Sequence, residues 1–247
     1  MSIVLNFSSS ESIDMSNKST TNDNNQIKKD LLSDALEYVP FYGWSQLTIK
    51  ELVSKKKYNI EEIDSFFPRG GVDLALFFHQ MGDELMVKEL ISTDLSKSRI
   101  RDRIAAAINL RLNIALEHRL SVKKSLGLFS TPMYIHDGSQ AIWYTADKIW
   151  IAIGDKSYDI NFYSKRMILS AVYSACLLYW LDDESQDFVD SREFIKRRID
   201  NVMFIEKLKG QLRKLPFTER LEKSSVPFFT QILNHKDKFP GWRGQKN

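Results

Sequence analysis

Residues 167–181 read MILSAVYSACLLYWL and are closed by Asp182, Asp183 and Glu184. The run is shorter than the roughly 20 apolar residues a membrane-spanning helix needs, so it predicts a helix buried in a protein core. Within it Tyr173 and Trp180 are seven apart and share a helix face, with Leu169, Cys176 and Leu177 on neighbouring rows. The preceding segment repeats the arrangement: Trp143 and Trp150 are seven apart, beside Ile142, Ile149 and Ile153. Two aromatic stripes joined by a polar turn predict two antiparallel helices. Such stripes serve equally well as core packing and as the lining of an apolar cavity between helices.

Working outward, apolar positions recur at helical spacing from Ile27 onward, and no alternating strand pattern flanked by hairpin turns occurs, so the fold class is all-α. The pattern predicts helices over 26–38, 45–57, 60–66, 71–92, 97–117, 121–129, 138–153, 162–181 and 186–215, and a short one over 217–234. The first 25 residues are dominated by Ser, Asn, Asp and Thr and are expected to form a disordered tail. A head over 26–70, a helical body over 71–215 and a basic amphipathic tail over 216–247 complete the expected organisation.

With 43% hydrophobic and 27% charged residues the chain has an ordinary globular composition. Its lone Cys176 excludes an internal disulfide framework and a thiolate zinc site. The net charge of +3 is unevenly spread: from Lys207 onward ten Lys and Arg face only Glu219, Glu222 and Asp237, so the rest of the chain is mildly acidic. The first 25 residues lack the apolar stretch of a secretory signal, and the first Arg is Arg69, unlike an Arg-rich transit peptide. The expectation is therefore a cytoplasmic protein, peripheral on the inner membrane of a bacterium rather than on the mitochondrial matrix side.

Short helices followed by a long one have the layout of a helix-turn-helix head on a helical body, which raises a TetR-like DNA-binding regulator with a hydrophobic effector as an alternative. The candidate reading helix contradicts it, since Glu61, Glu62 and Asp64 offer acids where a phosphate backbone requires cations. Lys55, Lys56 and Lys57 just before it are accounted for as a solvated helix end.

No catalytic or metal constellation emerges. The residues three before His79, His118, His136 and His235 are Leu76, Ala115, Met133 and Ile232, so the Glu-x-x-His pairs of a carboxylate-bridged metal site are missing. The P-loop and the dinucleotide glycine fingerprint are missing too, and Cys176 sits between Ala175 and Leu177 as a small buried hydrophobe. The expectation is a protein that is not an enzyme and needs no cofactor. In the turn between the aromatic helices, Asp159 or Asn161 can cap the second helix and Gly154 can close the first. Phe162, Tyr163, Lys165 and Arg166 add the composition of an interface anchor.

The residues Asp147-x-x-Trp150, Gly154-Asp155-x-Ser157-x-Asp159-x-Asn161-x-Tyr163-x-Lys165-Arg166, Leu169-x-x-Val172-Tyr173 and Leu177-Leu178-Tyr179-Trp180-Leu181-Asp182-Asp183 closely resemble the ubiquinone-biosynthesis accessory family that is ninth in the COQ series. Pro40-Phe41-x-Gly43-Trp44, Phe67-Pro68-x-Gly70-Gly71-x-Asp73 and Arg197-Arg198-Ile199-Asp200-x-Val202-Met203 agree with it. The likeness runs from about Asp30 to Gly210. It implies a TetR-like bundle with a degenerate head, a pocket for isoprenoid lipids, a C-terminal amphipathic helix that touches membrane, and a homodimer that does not bind DNA. It further implies a non-enzymatic role: binding an isoprenoid quinone intermediate or phospholipid and presenting the quinone to the di-iron demethoxyubiquinone hydroxylase. On this resemblance the lipid-binding candidates are Trp143, Trp150, Leu169, Tyr173 and Cys176, and the partner-binding candidates are Pro132, Met133, Tyr134, Asp155, Asp159, Phe162, Tyr163 and Arg166. Phe162 stands where the family commonly has Trp, and the Ser130–Tyr134 loop matches only loosely.

Membrane contact is expected from Phe217, Leu221, Phe228, Phe229, Ile232 and Leu233 among the C-terminal Lys and Arg, although Pro227 interrupts that helix.

Overall fold

A computed structural model of the chain describes residues 10–54, 58–95, 97–157 and 160–212. Among them are ten α-helices and no strand, so the all-α class is borne out. Two compact units divide the chain, Met1–Phe78 and His79–Asn247. The expected helix over 217–234 and Lys55, Lys56 and Lys57 lie outside the described residues.

In the first unit α1 (Ser10–Leu36), α2 (Val39–Tyr42), α3 (Gln46–Ser54), α4 (Ile60–Phe66) and the first turns of α5 (Gly71–Ser92) pack around Leu31, Val39, Ile49, Ile63 and Leu74. α1 begins well inside the stretch expected to be a disordered tail. Its N-terminal half carries Ser, Thr and Asn, which compete with helical hydrogen bonding only weakly once a helix is propagating from the packed end at Leu31 and Leu32. Asn59 fixes the start of α4 by accepting the Glu62 amide at 2.7 Å. The entry to α5 depends on glycine. Gly70 has φ +59°, and a Cβ on Gly71 would stand 2.5 Å from the Trp44 carbonyl carbon, so neither position admits a side chain without displacement.

The second unit contains the rest of α5, α6 (Ile100–Ile114), α7 (Arg119–Phe129), α8 (Ile135–Ala152), α9 (Ile160–Asp182) and α10 (Val189–Leu212). α9 is central: α8, α10 and α6 all pack on it. Its buried residues Leu169, Tyr173, Cys176 and Trp180 recur at the three-and-four spacing read from the sequence. The exit from α9 is tied in two ways. Arg119 donates to the carbonyls of Trp180 at 2.8 Å and Asp183 at 2.7 Å. The Asp183 carboxylate accepts the amides of Ser185 and Ser191, each at 2.8 Å, and the Ser191 hydroxyl. Those bonds hold its pKa down at about 2 against the opposing effect of burial.

Candidate functional site

α8 and α9 are clamped at the end nearest their connecting turn. Trp150 Nε1 donates to the Lys165 carbonyl at 3.1 Å, and the Lys165 ammonium sits 5.2 Å above the Trp150 ring. Arg166 Nε donates to Asp147 Oδ1 at 2.6 Å, its Nη1 reaches Asp155 at 3.3 Å and the Phe162 carbonyl at 3.1 Å, and its guanidinium lies 3.5 Å from the Phe162 ring centroid. Lys165 Nζ donates to Asp155 at 2.7 Å. Burial alone would raise the Asp155 pKa; hydrogen bonds from Lys165 and Ser157 outweigh it and hold the carboxyl below its usual range.

This clamp occupies most of the residues expected to face a partner. Phe162, Tyr163 and Arg166 are buried, and only 6% of the Asp155 side chain is exposed. The aromatic pair beside an arginine has interface composition, but here the arginine's counter-charges come from the same chain, Asp147 on α8 and Asp155 in the turn. The cluster is thus spent on joining two helices. Pro132 and Met133, by contrast, stand on the surface, Met133 at 76% exposure, with Tyr134 half-buried at the start of α8. Asp159 lies outside the described residues, as do Phe217, Leu221, Phe228, Phe229, Ile232 and Leu233.

Beside the clamp, α7, α8 and α9, with His79 of α5, enclose a cavity of about 380 Å³. Its walls are mainly apolar: Val122, Leu126 and Phe129 from α7, Ile135, Ala141 and Ile142 from α8, Ala171 and Leu177 from α9. Ser125, Ser139, Ser170 and Ser174 add hydroxyls. Lining residues are exposed at the α7–α8 connection, where Ser130, Ile135 and Ser139 form a rim, and at Ala171 on α9, whereas Val122, Ala141 and Leu177 are buried.

Trp143, Trp150, Leu169, Tyr173 and Cys176, the expected lipid-binding residues, are not among those lining it. All but Trp150 immediately adjoin a lining residue in the chain. On α9 the lining row is Ser170, Ser174 and Leu177, whereas Leu169, Tyr173 and Cys176 occupy the adjacent row, about 100° round the helix. On α8 Ile142 lines the cavity while Trp143 turns its ring to Tyr163, 6.3 Å away, and Trp150 joins the clamp. The largest side chains fill the core and smaller ones leave the space.

One wall of the cavity is polar. His79 Nε2 lies 2.7 Å from Thr145 Oγ1, which also contacts both Asp83 oxygens at 3.0 Å. Arg111 Nε donates to Asp83 at 2.8 Å and its Nη2 to the His79 carbonyl at 3.0 Å, with Lys148 3.9 Å from Asp83 on the outer side. Burial pushes the His79 pKa down to about 4, opposed by the Asp83 charge and reinforced by Arg111 and Lys148, so the ring is neutral at pH 7. Since Thr145 donates to the carboxylate, the network assigns the His79 proton to Nε2. Gly82 makes room, because a Cβ there would lie 2.7 Å from the Arg111 guanidinium. Sequence reasoning missed this cluster. A signal was present: Asp83 falls on the apolar row with Ala75, His79, Met86 and Leu90, and Arg111 on the row of Ile104, Ala107 and Ile108. Two opposite charges on buried helix faces imply a pair.

Residues 135–206, which span α8, α9 and most of α10, match the COQ9 family model. The resemblance read from the sequence is thereby borne out, and two walls of the cavity belong to the matched segment. Ubiquinone biosynthesis protein COQ9-A, mitochondrial, of Xenopus laevis is 29% identical over 186 residues, 72% of this chain and 58% of that protein. A probable ubiquinone biosynthesis protein coq9, mitochondrial, of Dictyostelium discoideum is 26% identical over 198 residues, 76% of this chain and 64% of its own length. The Homo sapiens COQ9 protein, also mitochondrial, is 25% identical over 185 residues, 72% and 58% respectively. The chain thus spans about three-fifths of the length of the curated COQ9 relatives it matches.

The relatives correct one expectation. All three are named as mitochondrial proteins of eukaryotes, which overturns the placement on a bacterial inner membrane. That placement rested on the composition of the first 25 residues, which does not decide the compartment. Among the described residues no helix is long and apolar enough to cross a membrane, and no group of three or more His, Cys, Asp or Glu side chains is placed to hold a metal ion.

Proposed function

We propose that this COQ9-family chain is a non-catalytic lipid-binding protein of ubiquinone biosynthesis, which takes an isoprenoid quinone precursor into the α7–α8–α9 cavity and hands it to the di-iron demethoxyubiquinone hydroxylase. The observation that carries the reading is the cavity itself: apolar walls and one polar wall with a neutral His79 ring suit an amphiphile with a ring oxygen and a hydrocarbon tail. The acidic outer face of α4, where Glu61 and Asp64 are exposed, supports a head that is repelled by DNA phosphates.

Energetics set the manner of binding. A tail of about 40 carbons costs on the order of 30 kcal/mol to expose to water, at roughly 0.8 kcal/mol per carbon. That exceeds the roughly 18–21 kcal/mol at which non-covalent affinity saturates. A cavity of about 380 Å³ is at the small end of ligand sites, which run from roughly 300 to 1,000 Å³. It therefore takes the ring and the first part of the tail while the remainder stays in the bilayer, and the protein works at a membrane surface. Mass spectrometry of an organic extract of the purified protein tests the proposal: isoprenoid quinones or their precursors should be enriched, and an extract with neither isoprenoid nor phospholipid would refute it.

A further inference from the structure

Of the serines that line the cavity, Ser125, Ser130 and Ser139 donate to carbonyls of their own helices or turns, at 3.1, 2.9 and 2.7 Å. Ser170 differs. Its Oγ is enclosed and has no hydrogen-bond partner among the described residues. A hydroxyl in that state costs about 1–3 kcal/mol unless something supplies the missing bond.

Its position along the bundle is fixed by the clamp. α8 and α9 run antiparallel with Trp150 against Lys165 and Asp147 against Arg166, and continuing that register brings Ser170 level with Thr145, to which His79 is hydrogen-bonded. Ser170 and His79 both line the cavity. By this register Ser170 lies toward the clamp end of the cavity, away from the α7–α8 connection at Ser130 and Ile135. The charges behind this end are Asp83, balanced by Arg111, and Lys148 beyond it at 3.9 Å. Two cations against one carboxylate leave a positive potential over the wall, while His79 itself stays neutral. Such a surface favours an electron-rich oxygen over a cation.

We propose that Ser170, on the His79 wall, is a hydrogen-bond donor to a ring carbonyl oxygen of the bound quinone, so that the ligand enters ring first and its tail leads back to the rim. This rests on the lipid-binding reading above and adds the orientation of the ligand and the residue that selects its head. Ser170 would discriminate by the hydroxyl alone, since its neighbours Ala171, Leu177 and Ala141 are apolar.

The test uses the full chain and three probes in detergent: a short-tailed benzoquinone, the free alcohol of the same tail, and a single-chain phospholipid. Ser170→Ala should weaken benzoquinone binding about 5- to 10-fold, the loss of about one hydrogen bond, leave the tail alcohol and the phospholipid unchanged, and leave the melting temperature of the unliganded protein where it was or higher. Unchanged benzoquinone affinity overturns the assignment. So does an equal loss for all three probes, which would mark a general cavity effect, and a loss confined to the phospholipid, which would move the contact to an ester carbonyl. Failure of the unaltered protein to bind any probe would instead sink the lipid-binding reading, and this assignment with it.

Discussion

Arg166 donates to Asp147 across 2.6 Å with both side chains buried, and this contact, beside the Trp150 bond to the Lys165 carbonyl, joins the two helices that form most of the cavity wall. Removing one partner leaves an uncompensated charge in the interior, which costs about 3–5 kcal/mol. Asp147→Ala is expected to lower unfolding free energy by about 3 kcal/mol, the low end of that range because Asp155 still faces Arg166 at 3.3 Å. Adding Arg166→Met should recover most of the loss. Urea titration of the single and double variants checks this, and a double variant no more stable than the single would contradict it.

Gly82→Ala should act on the same principle at the other polar cluster. The added methyl would stand 2.7 Å from Arg111, which is fixed by Asp83 and the His79 carbonyl and is only 4% exposed. A loss of about 2–3 kcal/mol in thermal or urea unfolding is expected, whereas Gly127→Ala, with open space around the new carbon, should stabilise α7 by a few tenths to about 1 kcal/mol.

Stability should fall in two separate pH windows. His79 has its folded pKa lowered to about 4 from 6.5, so the unfolded chain takes up the proton first; the contribution is complete above about 6.5 and is lost as pH falls toward 4, up to roughly 3 kcal/mol. Asp183, lowered to about 2, contributes above its unfolded pKa near 4 and is lost between about 4 and 2. Urea midpoints measured against pH should show the upper decline vanish in His79→Gln and persist in Asp183→Asn.

Ser174→Phe places a large ring on the cavity-lining row of α9 without touching the clamp. Lipid recovered from this variant should fall several-fold while its circular dichroism stays helical. Full retention of lipid would mean that the cargo sits elsewhere.

Met133→Ala tests the surface loop. At 76% exposure it should shift stability by less than about 0.5 kcal/mol yet weaken co-precipitation with the hydroxylase. Phe162→Ala, by contrast, should cost about 3 kcal/mol or more because that ring is in the core under Arg166. Equal recovery of the hydroxylase by Met133→Ala and the unaltered chain would remove the loop from the interface.

Helices were the most legible feature. The predicted bounds of α4 and α5 coincide with those observed, because Asn59 and Gly70-Gly71 punctuate the chain with capping and turn chemistry that is local. The start of α1 was not legible, since Ser, Thr and Asn before Gln26 carry no apolar period and helix there propagates from packing further on. The cavity was found on the right pair of helices but on the wrong row. Periodicity shows which residues share a face and cannot tell a filled face from a hollow one; Trp143 and Tyr173 signal burial, and it is their smaller neighbours Ile142, Ser174 and Ser170 that leave room. Arg166 misled for a related reason, since a charged residue read alone invites a partner, and Asp147, nineteen positions earlier, becomes visible only once the helices are folded together.

The two helices flanking residues 130–134 are each moored at the foot remote from that turn: α7 through Arg119 to the end of α9, α8 through Asp147 and Trp150 to its beginning. None of those anchoring bonds crosses the turn. Strain applied at the tip of this hairpin is consequently carried by none of those bonds, which all lie at its two feet.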